Sequence, residues 1–155
     1  MRIVHMTSVH SWDDNRIFNK MCRSLASHGN DVHLVGVMAN DQDGQIIDGV
    51  TLHAVNKPSN RCERFLKTTP AVMAKARCIP ADLYHFHDPE FLPYSRRFRS
   101  SVCKPVVYDV HEDYPAATLS KSWLPKWCRL LVSKAVDMFE RRYAMNIDGV
   151  IVAWP

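Results

Sequence analysis

The sequence predicts a doubly wound, three-layer α/β domain built on a parallel sheet of about six strands. Short β-branched runs alternate along the chain with segments of helical spacing, in the order β-α-β-β-α-β-α-β-α-β. Two of the runs also stop abruptly in histidines and carboxylates, which cannot all enter a core. Such residues belong at the carboxyl edge of a parallel sheet, where open α/β sheets bind their ligands.

Six strands and four helices account for most of the chain. The predicted strands are 2–9, 31–37, 50–55, 82–87, 106–110 and 150–153, and the predicted helices are 15–28, 61–77, 91–101 and 124–145. Gly29 ends the first helix as a left-handed cap, and Pro70 should kink or split the second. We expect the strand order 3-2-1-4-5-6, with 40–48 as a polar loop.

The last helix carries an apolar stripe at helical spacing, which we expect to face the core. Its members are Leu124, Trp127, Leu131, Ala135 and Met138.

Length, cysteine usage and apolar runs limit the class of protein. At 155 residues and 17.8 kDa, the chain forms one domain with a sizeable core. Its five cysteines include no C-x-x-C pair, which argues against a disulfide framework or a zinc knuckle and favours a reducing cytoplasm. The N-terminal segment, interrupted by His5, is a strand and not a signal peptide, and no run approaches the ~20 apolar residues of a membrane span.

Basic residues cluster in three stretches, although the net charge is only +4. The stretches are 57–77, 96–104 and 121–134. Clustering of this kind suggests a phosphate-rich ligand, a nucleic acid or an anionic membrane surface. A solvated basic face explains any one of the three stretches equally well.

Two strand ends carry the candidate chemistry of the chain. The residues are His87, Asp88 and Glu90 after the fourth run and His111, Glu112 and Asp113 after the next. Histidine donates a hydrogen bond to a sugar hydroxyl and, when protonated, stabilises developing negative charge. We expect a functional role for His111 more readily than for His87. The histidines inside strands are expected to be packed and hydrogen-bonded.

A zinc site is the first alternative for these strand ends. His85 and His87 could bind zinc together with Asp88 or Asp113, as in a metal hydrolase. Only His87 is expected to reach the edge, however, and no third ligand stands at a fixed spacing. We therefore expect no metal.

The first βα loop, 9–16, argues against a dinucleotide. It contains no glycine, whereas the phosphate-binding fingerprint needs several, so we expect neither NAD nor FAD and no other cofactor. Trp12 could offer a platform to a sugar ring, and Arg16 a fork to a phosphate or carboxylate. Alternatively, Asp14 and Arg16 only fix the loop.

Six segments together resemble a known family. They are 2–8, 14–20, 24–32, 84–90 (YHFHDPE), 108–115 (YDVHEDYP) and 148–153 (DGVIVA). In this order they are similar to the N-terminal Rossmann-like domain of GT-B fold glycosyltransferases of the large retaining family 4 group. The chain departs from that group in its glycine-free first loop, and we expect it to end at a domain boundary just beyond residue 153.

The resemblance implies transfer of a hexose from a nucleotide sugar to a glycan or lipid-linked acceptor, as in polysaccharide biosynthesis, with retention and usually without a metal. It implies that His111 reaches across the cleft to the donor sugar. It also implies that His87, Asp88, Glu112 and Asp113 face the acceptor or the cleft. The donor phosphates would bind mainly to a C-terminal domain absent from this sequence, so the chain alone should be nearly inert.

The resemblance also bears on partners and on location. Enzymes of this kind often act at the inner face of the membrane, and Lys126, Leu130, Lys134 and the nearby Trp123 suggest peripheral contact of a cytoplasmic protein. No nucleic-acid partner is then expected. Two other functions stay open: a sugar-nucleotide epimerase of the same architecture, and a stand-alone module that binds an anionic glycan or a membrane.

Overall fold

A seven-stranded sheet organises the chain in the computed structural model, which describes residues 1–122 and 124–152. The strands are β1 (Arg2–Ser11), β2 (Asp31–Val37), β3 (Ile46–Ile47), β4 (Val50–Val55), β5 (Leu83–Phe86), β6 (Val106–Val110) and β7 (Gly149–Val152). Their order across the sheet is β3-β4-β2-β1-β5-β6-β7. Every neighbouring pair is parallel except β3 and β4.

Five helical elements connect the strands. Helix α1 is a π-helical segment, Asn15–Cys22, continued by an α-helix, Arg23–Ser27, and α2 consists of Arg61–Glu63, the π-helical Arg64–Thr68 and Thr69–Arg77. Helix α3 is a 3₁₀ turn, Pro89–Phe91, followed by Leu92–Val102. The last two are α4 (Tyr114–Ser120) and α5 (Lys126–Ala144). A further 3₁₀ turn spans Asn40–Gln42.

The predicted α/β class and the order of the six parallel strands are confirmed, with three differences in detail. Within the predicted polar loop, β3 forms and pairs antiparallel with β4. Pro70 does not split α2, because it lies in the first turn of the segment Thr69–Arg77, directly after the π-helical residues, where a missing N–H is tolerated. Helix α4 was not predicted and begins at the cap residue Asp113. Ala153, the predicted end of the last strand, lies outside the described residues.

The predicted core stripe of α5 is wrong. Trp127 is 80% exposed, Leu131 65% and Met138 67%. The opposite side of the helix faces the protein: Ser133 is buried, and its hydroxyl donates to the carbonyl oxygen of Pro115 at 2.8 Å. The reason is that α5 packs mainly against α4, a helix with few large apolar side chains. Both sides of α5 carry apolar residues, so helical spacing alone selected the wrong one.

The two faces of the sheet have different surroundings. On one face, Val4, Phe86 and Tyr108 belong to a core that includes apolar residues of α2 and α3. On the other face, Ile17 and Phe18 of α1 form a second core with residues of β2 and β4. Since side chains alternate along a strand, the residues next to Val4, Phe86 and Tyr108 point to the α1 face.

On the α1 face, the central strands carry polar side chains. They are His5 on β1, His85 on β5 and Asp109 on β6, joined by His87 just beyond β5. All four are buried. This polar cluster occupies the space beside α1, and it leads to the carboxyl edge of the sheet. None of the helices in the described ranges 1–122 and 124–152 has the length and apolar character that crossing a bilayer demands.

Candidate active site

The carboxylate of Asp109 is the centre of the candidate site. It lies on β6, is fully buried, and accepts hydrogen bonds from side chains of three separate segments. Arg16, in the first turn of α1, donates through Nε at 3.1 Å and through Nη2 at 2.5 Å. The Nδ1 atom of His87 and the Nε2 atom of His111 each lie 3.2 Å from Asp109 Oδ2. A single carboxylate thus joins the ends of β5 and β6 to the start of α1.

Asp109 remains charged in this environment. Burial works against the carboxylate, yet hydrogen bonds from His111, His87 and Arg16 hold the pKa of Asp109 well below its usual range. An ionised carboxylate only accepts hydrogen bonds. His87 Nδ1 and His111 Nε2 also lie 3.2 Å from each other, and both face Asp109 Oδ2. We assign a proton to each of these nitrogens as a donor to the carboxylate, and in the neutral form of His111 the lone pair is then on Nδ1.

His87 lies beneath the edge and does not face the cleft as the sequence analysis expected. Its side chain is fully buried, with Nδ1 on Asp109 and Nε2 at 2.9 Å from Nδ1 of His5. Burial lowers the pKa of His87, although Asp109 opposes the shift. The expectation failed because the ring lies between His5 and Asp109, on the face of the sheet that carries His5 and His85. Contact with the acceptor is therefore not a role that this geometry supports for His87.

Asp88 is also buried, and it holds the carboxyl end of β1. Its Oδ2 accepts from the hydroxyl of Thr7 at 2.9 Å and from the backbone N–H groups of Ser8 and Val9 at 2.6 and 3.2 Å. His10 lies nearby, with Nε2 at 3.4 Å from Asp88 Oδ1. Asp88 was predicted to face the acceptor or the cleft, but only 1% of its surface is exposed. The residue shapes the edge from below.

The surface of the site is formed by His10, His111, Glu112 and Asp113. The rings of His10 and His111 lie 4.9 Å apart, and the side chain of His111 is 10% exposed. Glu112 and Asp113 are exposed, and Asp113 caps α4 by accepting from the N–H of Ala116 at 2.8 Å. Three of the four residues were predicted from the sequence, and they come together at the same edge.

The three candidates in the first loop have structural partners. Asp14 caps α1 by accepting from the N–H groups of Arg16 and Ile17 at 2.8 and 2.9 Å, and these bonds lower its pKa against the opposing effect of burial. Trp12 packs edge-on against Phe18 at 5.2 Å and is partly buried against the α1 core. The guanidinium of Arg16 is committed to Asp109.

Glu90, the remaining candidate, pairs with an arginine on α2. Arg64 donates to it through Nε at 3.0 Å and through Nη2 at 2.6 Å, and the pairing raises the pKa of Arg64. Both side chains are about one-fifth exposed, at 24% and 19%. The pair connects α2 to the segment after β5 near the same edge of the sheet.

A comparison with models of protein families identifies the chain. The model described as Glycosyltransferase Family 4 matches residues 15–153. The chain belongs to Glycosyltransferase Family 4. No curated protein matches the sequence significantly. The predicted family is thereby confirmed, and the family assigns glycosyltransferase activity in general to this α/β half-domain.

Two residues of the candidate site could not be recognised from the sequence. Asp109 lies within a predicted strand and received no role. An ionisable side chain between Tyr108 and Val110 nevertheless indicates a buried carboxylate that needs a charged or hydrogen-bonding partner. His10 was treated as part of a loop. Its neighbours, His111 and Asp88, are distant in sequence, so no spacing in the chain could have indicated them.

Asp88 provides a test of how the edge is held. Replacing Asp88 with Ala leaves the N–H groups of Ser8 and Val9 and the hydroxyl of Thr7 without their acceptor, so we expect a loss of about 3 kcal/mol in the free energy of unfolding. Asp88→Asn keeps one acceptor oxygen and should lose less. Urea unfolding measures both variants.

The matched control for Asp88 is Asp137→Ala, which removes an exposed pair with Arg141 and should cost at most about 1 kcal/mol. Equal urea midpoints for Asp88→Ala and the unsubstituted chain would show that Asp88 does not hold the carboxyl end of β1.

Proposed function

We propose that this family 4 domain takes part in the transfer of a hexose from a nucleotide sugar to a glycan or lipid-linked acceptor, with retention of anomeric configuration. The domain supplies the acceptor side of the cleft, and a second domain supplies the site for the donor phosphates. The observation that carries the proposal is the position of His111 at the carboxyl edge, held from below by Asp109.

His111 has the free hydrogen-bonding atom that a donor sugar requires. Because Asp109 accepts from Nε2, the lone pair on Nδ1 is available to a sugar hydroxyl. Asp109 is in turn fixed by Arg16. Because Asp109 already fixes the imidazole of His111, this side chain loses little further conformational freedom when the donor sugar binds. It can then hold the sugar in a reactive position.

Basic side chains near the same edge favour an anionic acceptor. A concave region is lined by residues of the β1 end and of the segment that leads into α2, including Ser8, Val9, Lys57, Arg61 and Arg64. Lys57 and Arg61 are exposed, whereas Arg64 is engaged with Glu90. Lys57 and Arg61 have no side-chain partner within 1–122 and 124–152, and two such cations beside the edge suit a phosphate, such as the one that links a lipid to a growing glycan.

Replacing His111 with Ala tests the proposed role in transfer. We expect kcat to fall about 100-fold or more, with a smaller change in the KM of the acceptor, because the lost hydrogen bond acts on the donor sugar. The assay uses the protein as purified from its source, a range of nucleotide sugars and lipid-linked acceptors. His28→Ala is the control, since His28 is exposed at the end of α1 and bonds only its own helix.

Three outcomes of this assay would contradict the proposal. Transfer at an unchanged rate by the His111 variant would remove His111 from the mechanism. Conversion of the nucleotide sugar into an epimer without any acceptor would favour the epimerase instead. Inversion at the anomeric carbon of the product would contradict the assignment of retention.

The exposed side of α5 supports a second element of the proposal, peripheral contact with an anionic membrane. The α5 surface consists of Lys126, Trp127, Leu130, Leu131, Lys134 and Met138, and all six are exposed. Apolar side chains between cations are typical of helices that lie in the interface of a bilayer. Trp123, which was predicted to join this surface, lies outside the described residues.

Vesicle sedimentation tests the α5 surface. The chain should bind phosphatidylglycerol vesicles more strongly than phosphatidylcholine vesicles, and Trp127→Ser with Leu131→Ser should reduce binding about tenfold or more because two buried apolar groups are lost. Leu66→Ser is the control, since Leu66 is equally exposed, at 66%, but lies on α2. Equal binding of all variants would contradict membrane contact through α5.

A further inference from the structure

Three buried histidines lie below the Asp109 carboxylate. His5 and His85 are direct partners across the parallel strands β1 and β5, and His87 follows two residues later on the same side of the chain. The ring centroids are 4.9 Å apart for His5 and His85, 5.2 Å for His5 and His87, and 4.5 Å for His85 and His87. One nitrogen from each ring lies within 4.8 Å of the other two.

This cluster contains polar atoms that other described residues do not satisfy. His5 and His87 are fully buried and His85 is 5% exposed, yet the Nε2 atoms of His5 and His85 have no hydrogen-bond partner within 1–122 and 124–152. Buried polar atoms are nearly always paired, because an unpaired one is destabilising. Three adjacent histidines with two unpaired nitrogens therefore need an explanation other than packing.

The orientation of the His87 ring suits a metal ligand. The proton that we assign to His87 Nδ1 is directed at Asp109, so Nε2 is the nitrogen directed into the cluster. A histidine that binds a metal commonly donates its other N–H to a carboxylate in this way.

We propose that His5, His85 and His87 bind one divalent transition-metal ion, with zinc the ion to test first. Three imidazole nitrogens suit zinc, copper, nickel or cobalt, and they do not suit magnesium or calcium, which prefer oxygen. A water molecule or a small anion completes the tetrahedron around zinc. The ion cross-links β1 to β5 and has a structural role, since all three rings are buried. His5 coordinates through Nδ1, and the proton that Nδ1 donates to His87 Nε2 in the 2.9 Å hydrogen bond moves to Nε2 of the His5 ring.

A second group of possible ligands overlaps the first but is a poorer site. It consists of His87, Asp109 and His111. Asp109 already accepts from Arg16 through both carboxylate oxygens, and an ion there would displace the guanidinium or lie beside its positive charge. The sequence analysis considered zinc at His85 and His87 and found no third ligand. The neighbouring strand β1 supplies it, at a separation of 80 positions that no local spacing reveals.

Metal titration of the full chain tests the site without any assay of transfer, so failure here and failure of the proposed function are separate results. The chain is first stripped with a chelator, then titrated with Zn²⁺ in a calorimeter and with Co²⁺ by visible absorption. We expect one ion per chain and a rise in Tm on binding. X-ray absorption of the zinc complex should show three imidazole ligands at about 2.0–2.1 Å.

Matched variants assign the ligands. His5→Gln and His85→Gln should each weaken zinc binding about 100-fold, whereas His111→Gln should not, because His111 belongs only to the second group. His33→Gln is the control for a strand histidine outside the cluster, since Nδ1 of His33 on β2 lies 2.9 Å from Nε2 of His53 on β4. Circular dichroism confirms that each variant is folded.

Three results would overturn the proposal. The first is the absence of stoichiometric zinc binding by the folded, unsubstituted chain. The second is binding that survives in a folded His5 or His85 variant. The third is an X-ray absorption spectrum with fewer than three imidazoles, which remains decisive if both variants fail to fold.

Discussion

The buried charge of Asp109 is the constraint on which the rest of the site depends. Removing a carboxylate from water costs several kcal/mol unless ion pairing and hydrogen bonds compensate. Arg16, His87 and His111 provide that compensation, and each comes from a different part of the chain. Because Asp109 needs all of them, the start of α1 and the ends of β5 and β6 have to meet at one point. The carboxyl edge is therefore already arranged before any substrate binds.

The two buried carboxylates at neighbouring strand ends have different functions. Asp109 orients side chains, whereas Asp88 orients backbone, since its main partners are the N–H groups of Ser8 and Val9. Between them they position His111 and the carboxyl end of β1, which carries His10. This division explains why so few of the polar residues near the edge are exposed. Most of them support the surface, and only a small set is free to contact a ligand.

Much of the fold follows from local patterns, and much of the site does not. Runs rich in β-branched residues, such as 31–37 and 50–55, predict strands because these side chains pack well on a pleated, half-buried surface. Helix α5 shows the limit, since its two sides are similar in apolar character and only the packing partner α4 decides which side is covered. For the site, the motifs containing His87 and His111 were recognised, but their depth was not. Whether a residue after a strand lies below or at the surface depends on neighbouring loops.

The same limit applies to pairs of residues that are distant in the chain. Arg16 was considered a ligand for phosphate, and nothing in its surroundings could show that Asp109 occupies it. His5 was expected to be packed and hydrogen-bonded, which is half correct, because one ring nitrogen bonds His87 and the other has no partner among the residues that the structure describes. Such relations appear only when strands β1, β5 and β6 lie side by side.

The most direct test of this account is the protonation of the His111 ring. Nitrogen NMR of the ¹⁵N-histidine-labelled chain distinguishes the two neutral tautomers and the charged form, and Asp109→Asn serves for comparison. For the neutral form of His111 we predict a single tautomer with its proton on Nε2, and loss of that preference in the variant. A proton on Nδ1, or the same spectrum for His111 in both proteins, would contradict the claim that Asp109 holds His111 for the substrate.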